Sequence, residues 1–353
     1  MNIYDIWFSK ISMYCEEKLK LIKDYNNSQE IYKNVTKGDL VLPRNKTDEA
    51  LYSFDKVELN KECEYLISKD VQIVKYGDDN YPISLKDYKY APAILYYTGD
   101  ITVLNNRTCV SVVGARKSTP YGEKVAKHIA RDLAANGICV VSGLARGIDS
   151  CAQRAAILSK GKTCSVFGCG VDVIYPPENI DLYKDVKNNG VIISEYPCRT
   201  KPLPFHFLER NRLISALAAA VVVVEAGEKS GAMNTASWAA DQNVPLFAVP
   251  GDITSATSKG TNELIQEGAN IFLKMSDIYS LLHMEEIKSY NYSNDIPEKY
   301  KKLYNVLSDT PVHINEIINR SNIDIMCLYE LLFEMQTMNI VNCIDGSFYV
   351  RVE

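Results

Sequence analysis

The sequence lacks the residue clusters that most often hold metals in proteins. Its ten cysteines include no CxxC pair and no Cys/His cluster at zinc spacing, so neither a zinc site nor another metal site is expected. Several of the thiols, such as Cys109, Cys139 and Cys164, fall inside apolar runs, where cysteine behaves as a small hydrophobic residue. This usage is typical of reduced, cytoplasmic proteins. The sequence therefore predicts a cytoplasmic protein without a cofactor.

Long hydrophobic runs are also missing. The longest apolar stretch, residues 216–224, is far too short to span a bilayer, and the opening MNIYDIWFSKI is too polar for a signal peptide. We therefore expect no membrane insertion. With 46% hydrophobic and 24% charged residues, the 353-residue chain is expected to fold into two or three globular domains. Its net charge of −5 means that any nucleic-acid surface must be a local patch.

Recognisable catalytic motifs are scarce. Only four histidines are present, and none follows a predicted strand beside a plausible serine or cysteine nucleophile. No G-x-x-x-x-G-K-[ST] motif occurs, and the first glycine loop lacks the second glycine of G-x-G-x-x-G, so ATP hydrolysis of the Walker type and NAD binding are disfavoured. Carboxylates after strands could form an acid–base pair, although such groups more often orient arginines or cap helices. These carboxylates are Asp149, Glu195, Glu225, Glu228 and Asp252.

Strands and glycine loops alternate through the middle of the chain. Residues 110–113 form a short β-branched run ended by Gly114, as expected of a strand buried on both faces. Residues 124–136 then show one apolar helical stripe, and residues 138–141 form the next strand. This pattern recurs about seven times, always with the glycines after the strand. It predicts an α/β fold with a doubly wound parallel sheet.

Two of these loops combine glycine with positive charge. The first, GARKSTPYG, carries Arg116 and Lys117, and the second, SGLARGID, carries Arg146. Because loops after neighbouring parallel strands meet at one edge of the sheet, their backbone N–H groups and arginines suit phosphate groups. The alternative is that the glycines only make tight turns and that the arginines are solvated or ion-paired.

Further cations follow the later strands. Lys201 lies in a proline-rich loop, Arg210 and Arg212 in the next helix, and Lys229 in a loop before another helix. Arg210 and Arg212 point about 200° apart, so both reach one ligand only near a helix end; otherwise one of them packs or pairs with an acid. Many cations after the strands, with few candidate catalytic residues, indicate a protein that binds the nucleic-acid backbone rather than an enzyme. The candidate residues are Gly114, Arg116, Lys117, Gly143, Arg146, Gly147, Lys201, Arg210, Asn211, Arg212 and Lys229.

The flanking regions differ in character. Residues 1–69 are predicted to form short helices, and residues 71–100 contain two strand-like segments that add edge structure to the sheet. A polar linker is expected at 285–296. Residues 297–353 read as three helices and a hairpin, the pattern of a winged helix, but its third helix carries Glu330 and Glu334 and no lysine or arginine. We therefore expect this domain to contact protein rather than read DNA.

The glycine loops also contain motifs that resemble those of the DNA-processing protein A family (DprA, also called Smf). The matches run in uninterrupted order from about residue 70 to residue 275. They are G-x-R-x(4)-Y-G at 114–122, S-G-x-A-x-G-I-D at 142–149, G-x-G-[VL]-D-x-x-Y-P at 168–176, S-E-Y-P at 194–197, F-x-x-R-N-R-x-I-[SA] at 207–215, V-V-V-E-A with S-G-[AS]-x-x-T-A at 222–236, and P-G with G-T-N-x-L-I-x-x-G-A between 250 and 269.

The resemblance implies both architecture and function. It implies a sterile-alpha-motif-like (SAM-like) helical domain at 1–69, an extended Rossmann-like domain at 70–284 and an optional winged helix at 297–353. It further implies a non-enzymatic protein that binds single-stranded DNA in a basic pocket, with Arg116 as a DNA contact. Such a protein dimerises through the Rossmann-like domain, protects incoming DNA and helps to load the recombinase RecA during natural transformation.

Two alternatives remain open from the sequence. The first is a nucleotide phosphoribohydrolase of the lysine-decarboxylase-like (LOG) type, which uses a related sheet with a P-G-G-x-G-T-x-x-E loop. The corresponding segment here, GEKSGAMNTASWA, replaces the double glycine with Glu228, Lys229 and Ser230 and lacks the helical acid. The second is a general recombination role in an organism that never becomes competent for DNA uptake.

Overall fold

The computed structural model describes residues 2–284, 296–308, 310–338 and 340–351. The residues up to 284 belong to one compact unit and those from 296 onward to a second. The predicted linker at 285–296 falls almost entirely outside the described residues. None of the helices described in these ranges is both long and apolar enough to cross a bilayer.

The first unit is built on a sheet whose strands in the described ranges run in the order β1-β2-β6-β5-β4-β3-β7-β8-β9. Strands β3 to β9 are parallel, as predicted, whereas β1 and β2 run antiparallel at one edge. The strands are β1 (Gln72–Lys75), β2 (Ile94–Gly99), β3 (Cys109–Val113), β4 (Cys139–Ser142), β5 (Thr163–Phe167), β6 (Val191–Ser194), β7 (Ala220–Val223), β8 (Leu246–Ala248) and β9 (Asn270–Ile271). The sheet is therefore mixed but mostly parallel.

The chain order explains where a ligand would lie. From β3 the chain steps outward through β4, β5 and β6, and it then returns to place β7 on the other side of β3. Open α/β sheets bind ligands outside the carboxyl ends of their strands, next to such a reversal. The loop that leaves β3, with Arg116, stands at this position.

Helices cover both faces of the sheet. In β3, Val110 and Val112 face a cluster built with α7, α8 and α13, while Cys109 and Val113 face a cluster built with α10, α11 and α12. This alternation buries every residue of β3, as the apolar sequence requires. The helices are α1 (Ile3–Lys10), α2 (Cys15–Tyr25), α3 (Ser28–Lys37), α4 (Thr47–Tyr52), α5 (Lys56–Ser68), α6 (Val103–Asn106), α7 (Pro120–Ala135), α8 (Ile148–Leu158), α9 (Ile180–Asn189), α10 (Pro204–Ala216), α11 (Gly231–Asp241), α12 (Lys259–Gln266) and α13 (Met275–Leu281).

The N-terminal helices pack directly onto the edge of the sheet. Trp7 is buried and its indole N–H donates to the carbonyl oxygen of Ala50 at 2.7 Å, which ties α1 to α4. The hydroxyls of Ser9 and Tyr96 are 2.5 Å apart and connect α1 to β2. The helices of residues 1–69 therefore share a core with the sheet and belong to the same compact unit.

The C-terminal unit has its own core and its own small sheet. Its elements follow the predicted order of three helices and a hairpin, with one added strand that completes a sheet in the order β10-β12-β11. Leu303, Ile317, Leu328 and Leu332 are fully buried in its centre. The elements are α14 (Glu298–Val306), β10 (Val312–His313), α15 (Ile314–Ser321), α16 (Ile325–Thr337), β11 (Val341–Ile344) and β12 (Phe348–Arg351).

Candidate nucleic-acid interface

The two charged glycine loops interlock at the carboxyl edge of the sheet. Gly147 has φ +72°, and a Cβ atom at this position would lie 2.3 Å from the carbonyl oxygen of Ala115 in the neighbouring loop. The next residue, Ile148, donates its N–H to that same oxygen at 3.2 Å. Only glycine allows this close approach. The loop after β4 therefore holds the loop after β3 in place, and with it Arg116.

Glu225, at the end of β7, fixes the same loop from the other side. Its buried carboxylate accepts from the backbone N–H of Thr119 at 2.9 Å and from the Thr119 hydroxyl. Thr119 is in turn the N-cap of α7 and accepts from the N–H of Gly122 at 3.2 Å. A carboxylate at a helix N-terminus is favoured by the helix dipole. Glu225 thus anchors the N-terminus of α7.

A small pocket forms where these loops meet α10. Its volume is about 40 Å³, too small to enclose a nucleotide. The guanidinium carbons of Arg116 and Arg210 each lie 5.7 Å from the centre of the Phe207 ring, and this ring lies 5.3 Å from that of Tyr175. The pocket therefore combines positive charge with aromatic surface. It is lined by Arg116, Gly143, Ala145, Arg146, Tyr175, Pro176, Phe207 and Arg210.

Arg210 forms the floor of this pocket. It is buried, and its Nη1 donates to the carbonyl oxygen of Gly143 at 3.1 Å and to that of Val166. Gly143 leaves room for the guanidinium group, because a Cβ there would lie 2.6 Å from Nη2. Burial lowers the pKa of Arg210 to about 10, and the charge of Asp149 opposes this shift. Arg210 therefore stays charged at neutral pH, and its hydrogen bonds link the carboxyl ends of β4 and β5.

Arg146 lies at the exposed rim of the pocket. Its side chain forms an ion pair with Glu178, and both side chains are largely in solvent. Exposed ion pairs of this kind contribute little to stability. The guanidinium group of Arg146 is therefore accessible from solvent and only weakly held.

Arg212 faces a different part of the molecule, as expected from its angular separation from Arg210. It is buried and its Nη2 lies 2.5 Å from the carboxylate of Glu195. Burial alone would lower the pKa of Arg212, but the Glu195 carboxylate outweighs it and the pKa is raised. Both residues line a cavity of about 980 Å³ beside α1 and α2, which Lys18 also lines. The structure does not bring Arg212 to the small pocket.

Asn211 connects two helices rather than facing solvent. Its buried side-chain amide donates to the carbonyl oxygen of Gly231 at 3.1 Å and to the side chain of Asn234 at 3.2 Å. These bonds join α10 to the first turns of α11. The position of Asn211 favours a structural role for this residue.

The remaining candidates lie in the strand-end loops but not in the lining of the small pocket. Lys117, Lys201 and Lys229 are exposed in the loops that follow β3, β6 and β7. Gly114 ends β3 and packs against Ile148. Among the residues in the described ranges, no group of three or more His, Cys, Asp or Glu side chains is placed to hold a metal ion.

Several residues of the site, among them Tyr175, Phe207 and Glu178, were not among the predicted site residues. Tyr175 and Phe207 supply the rings of the pocket, and Glu178 pairs with Arg146. Both aromatic residues lie inside the motifs that carry the family resemblance, and Phe207 precedes Arg210 by three residues. An aromatic side chain close to motif arginines was the available signal, because nucleic-acid sites combine cations with stacking surfaces.

The comparison with protein families matches residues 72–283 to the family DNA recombination-mediator protein A. The chain is 38% identical over 212 residues to DNA processing protein DprA of Bacillus subtilis, which covers 60% of this chain and 71% of that protein. It is 37% identical over 230 residues to the Streptococcus pneumoniae protein of the same name, covering 65% and 79%. These matches do not favour the LOG alternative.

The solved structures agree with the sequence comparison. DNA processing protein A from Streptococcus pneumoniae superposes with a TM-score of 0.69 at 32% identity, over 79% of this chain and 98% of that one. The Helicobacter pylori protein, whose structure is described as revealing a unique single-stranded DNA binding mode, superposes with a TM-score of 0.55 at 34% identity, over 60% and 95%. The sheet, its loops and the family match coincide along the chain. This chain therefore belongs to the DNA recombination-mediator protein A family, the DprA/Smf proteins.

Proposed function

We propose that this protein binds single-stranded DNA along the carboxyl edge of its sheet. The observation that carries the proposal is the meeting of Arg116, Arg146 and Arg210 with the rings of Tyr175 and Phe207 in one pocket. Single-stranded nucleic acids are bound by grooves that pair cations with aromatic stacking surfaces. The single-stranded DNA binding described for the Helicobacter pylori relative supports the same function here.

The size of the pocket assigns different parts of the DNA to different residues. A pocket of about 40 Å³ with three guanidinium groups in its lining admits a phosphate oxygen but no base. Bases would instead lie on exposed rings: Tyr175, which lines the pocket, is 37% exposed, and Phe205 in the first turn of α10 is 54% exposed. Arg116 and Arg146 would hold the backbone together with Lys117, Lys201 and Lys229 from the neighbouring loops. Arg210, Asn211 and Arg212 would support this surface from below.

The proposed role includes two protein partners. One is a second copy of the chain, bound through the Rossmann-like domain, and the exposed Ile271 and Leu273 at the edge strand β9 support an apolar contact there. The other is the recombinase RecA, to which the bound strand would be delivered in transformation or recombination. In this proposal the protein itself catalyses no reaction.

Fluorescence anisotropy with a labelled oligo-dT strand tests the DNA site. Wild type should bind, prefer the single strand over duplex competitor, and lose affinity at least 10-fold in Arg116→Glu, because one phosphate contact becomes a repulsion. Lys160→Glu is the matched control, since this exposed lysine precedes β5 at the opposite edge of the sheet and changes net charge equally. Equal losses in both variants would show that net charge, and not this pocket, governs binding.

A further inference from the structure

The outer face of α16 is apolar and is not covered by the other described residues of the C-terminal unit. Met326, Tyr329 and Phe333 occur at i, i+3 and i+7 and are 77%, 47% and 68% exposed. The opposite face of the same helix, with Leu328, Leu332 and Met335, is fully buried in the core. The exposed side chains are therefore not needed to hold the helix in place.

The charge around this face argues against nucleic acid. Helix α16 and its N-cap Asp324 carry Glu330 and Glu334 and no lysine or arginine. Glu334 pairs with Lys299 of α14, and Arg320, which precedes α16, pairs with Glu316. Arg351 is engaged, because its Nε donates to the carbonyl oxygen of Tyr304 at 2.9 Å. Exposed Glu330 stands one turn from Met326 on the apolar face. A surface that binds phosphates needs the opposite charge.

The same charge argues against a second copy of this unit. In a symmetric pair each residue near the axis meets its own copy or that of a neighbour, so the acidic rim with Glu330 would face itself. A helix that presents apolar anchors at i, i+3 and i+7 is instead suited to an apolar groove on another protein. Its acidic rim selects a groove edged with positive charge.

We propose that the outer face of α16 docks into an apolar groove, rimmed by lysine or arginine, on a partner protein. Met326, Tyr329 and Phe333 enter the groove, and Glu330 pairs with its basic rim. Since the cations proposed to bind DNA lie in the first unit, this docking is a separate function and leaves DNA binding unchanged.

Photocrosslinking identifies the partner. The photoreactive amino acid p-benzoylphenylalanine replaces Phe333 in the full chain, expressed in cells of the source organism, and the matched control carries it at the exposed Asn305 of α14. We expect irradiation to give an adduct with one protein at position 333 only, mapped to a peptide with apolar residues flanked by lysine or arginine. An adduct with a second copy only, with nucleic acid only, or no adduct above the control overturns the proposal.

Binding measurements with the purified partner then test the chemistry. We expect Phe333→Asp and Glu330→Lys each to weaken its binding to the full chain by about 10-fold or more, and Asn305→Asp to leave it unchanged. Met326→Asp is a second variant that places a charge on the apolar face. Circular dichroism checks that each variant is folded. All variants should bind oligo-dT as wild type does. An unchanged affinity in Glu330→Lys, or in both folded apolar variants, contradicts the proposed groove.

Discussion

At the scale of single residues, Gly147 is the most constrained position of the site. Its φ of +72° and ψ of −127° are disfavoured for residues with a Cβ, and the neighbouring carbonyl of Ala115 leaves no space for one. We expect Gly147→Ala to lower the free energy of unfolding by about 3 kcal/mol, through backbone strain and overpacking together. Because the displaced loop carries Arg116, affinity for oligo-dT should fall as well. Chemical denaturation and anisotropy measure the two effects.

Gly38 provides the control for this substitution. It also has a positive φ, +78°, but a Cβ there would meet nothing within 4 Å. Gly38→Ala should therefore cost only the backbone strain, about 1 kcal/mol, and leave DNA affinity unchanged. Equal losses of stability in the two variants would show that contact with Ala115 contributes nothing.

We predict that the free energy of unfolding depends on pH through Lys18. Burial beside the large cavity lowers its pKa from 10.5 to about 8, while its Nζ donates to the carbonyl oxygen of Ser9 at 2.6 Å. Between these two pKa values the unfolded chain binds more protons at Lys18 than the folded chain does, so stability rises with pH across this window. We expect wild type to gain stability relative to Lys18→Met between pH 8 and pH 10.5. Denaturation at several pH values checks this, and a constant difference contradicts it.

At the scale of elements, two acids contact the charged loops with opposite expected effects on binding, Glu225 at the loop after β3 and Glu178 at the loop after β4. Glu225 anchors the start of α7, so Glu225→Gln should lower the free energy of unfolding by about 2 kcal/mol and weaken oligo-dT binding, although it removes a negative charge. Glu178 forms an ion pair with Arg146. Glu178→Gln should therefore strengthen oligo-dT binding about 3-fold. The same anisotropy titration measures both. If both variants bind more tightly, the negative charges alone control affinity.

The predicted elements show which parts of the fold can be predicted from sequence patterns alone. The β-branched runs of β3 to β7 predicted buried strands, because the strands of a parallel sheet are covered on both faces and are therefore apolar at every position. The start of α7 was predicted four residues late, although Thr119 followed by Pro120 is a recognisable N-cap and first helical residue. For Arg210 and Arg212, the sequence predicted only that the two side chains point in different directions. Which of them meets Gly143 and which meets Glu195 depends on contacts between distant segments.

At the scale of the whole molecule, a net charge of −5 accompanies a proposed DNA surface. The cations in the loops after β3, β4, β6 and β7 would act locally, because exposed charges beyond about 10 Å are screened at moderate salt. Five phosphate contacts, one for each cation proposed to hold the backbone, predict a slope of about −3.5 for log affinity against log salt, at about 0.7 per contact on single strands. Titrations at several salt concentrations measure this slope. A slope near zero would exclude binding through phosphates.

The separate cores of the two units predict how the chain behaves when it is shortened. The buried residues of the C-terminal unit form a cluster of their own, distinct from the clusters around the sheet. We therefore expect calorimetry of the full chain to show two transitions, one of which persists in a chain ending at residue 284. The shortened chain should keep the affinity and salt slope of the full chain, since the acidic face of α16 offers no phosphate contact. A smaller slope after shortening would instead place DNA contacts in the C-terminal unit.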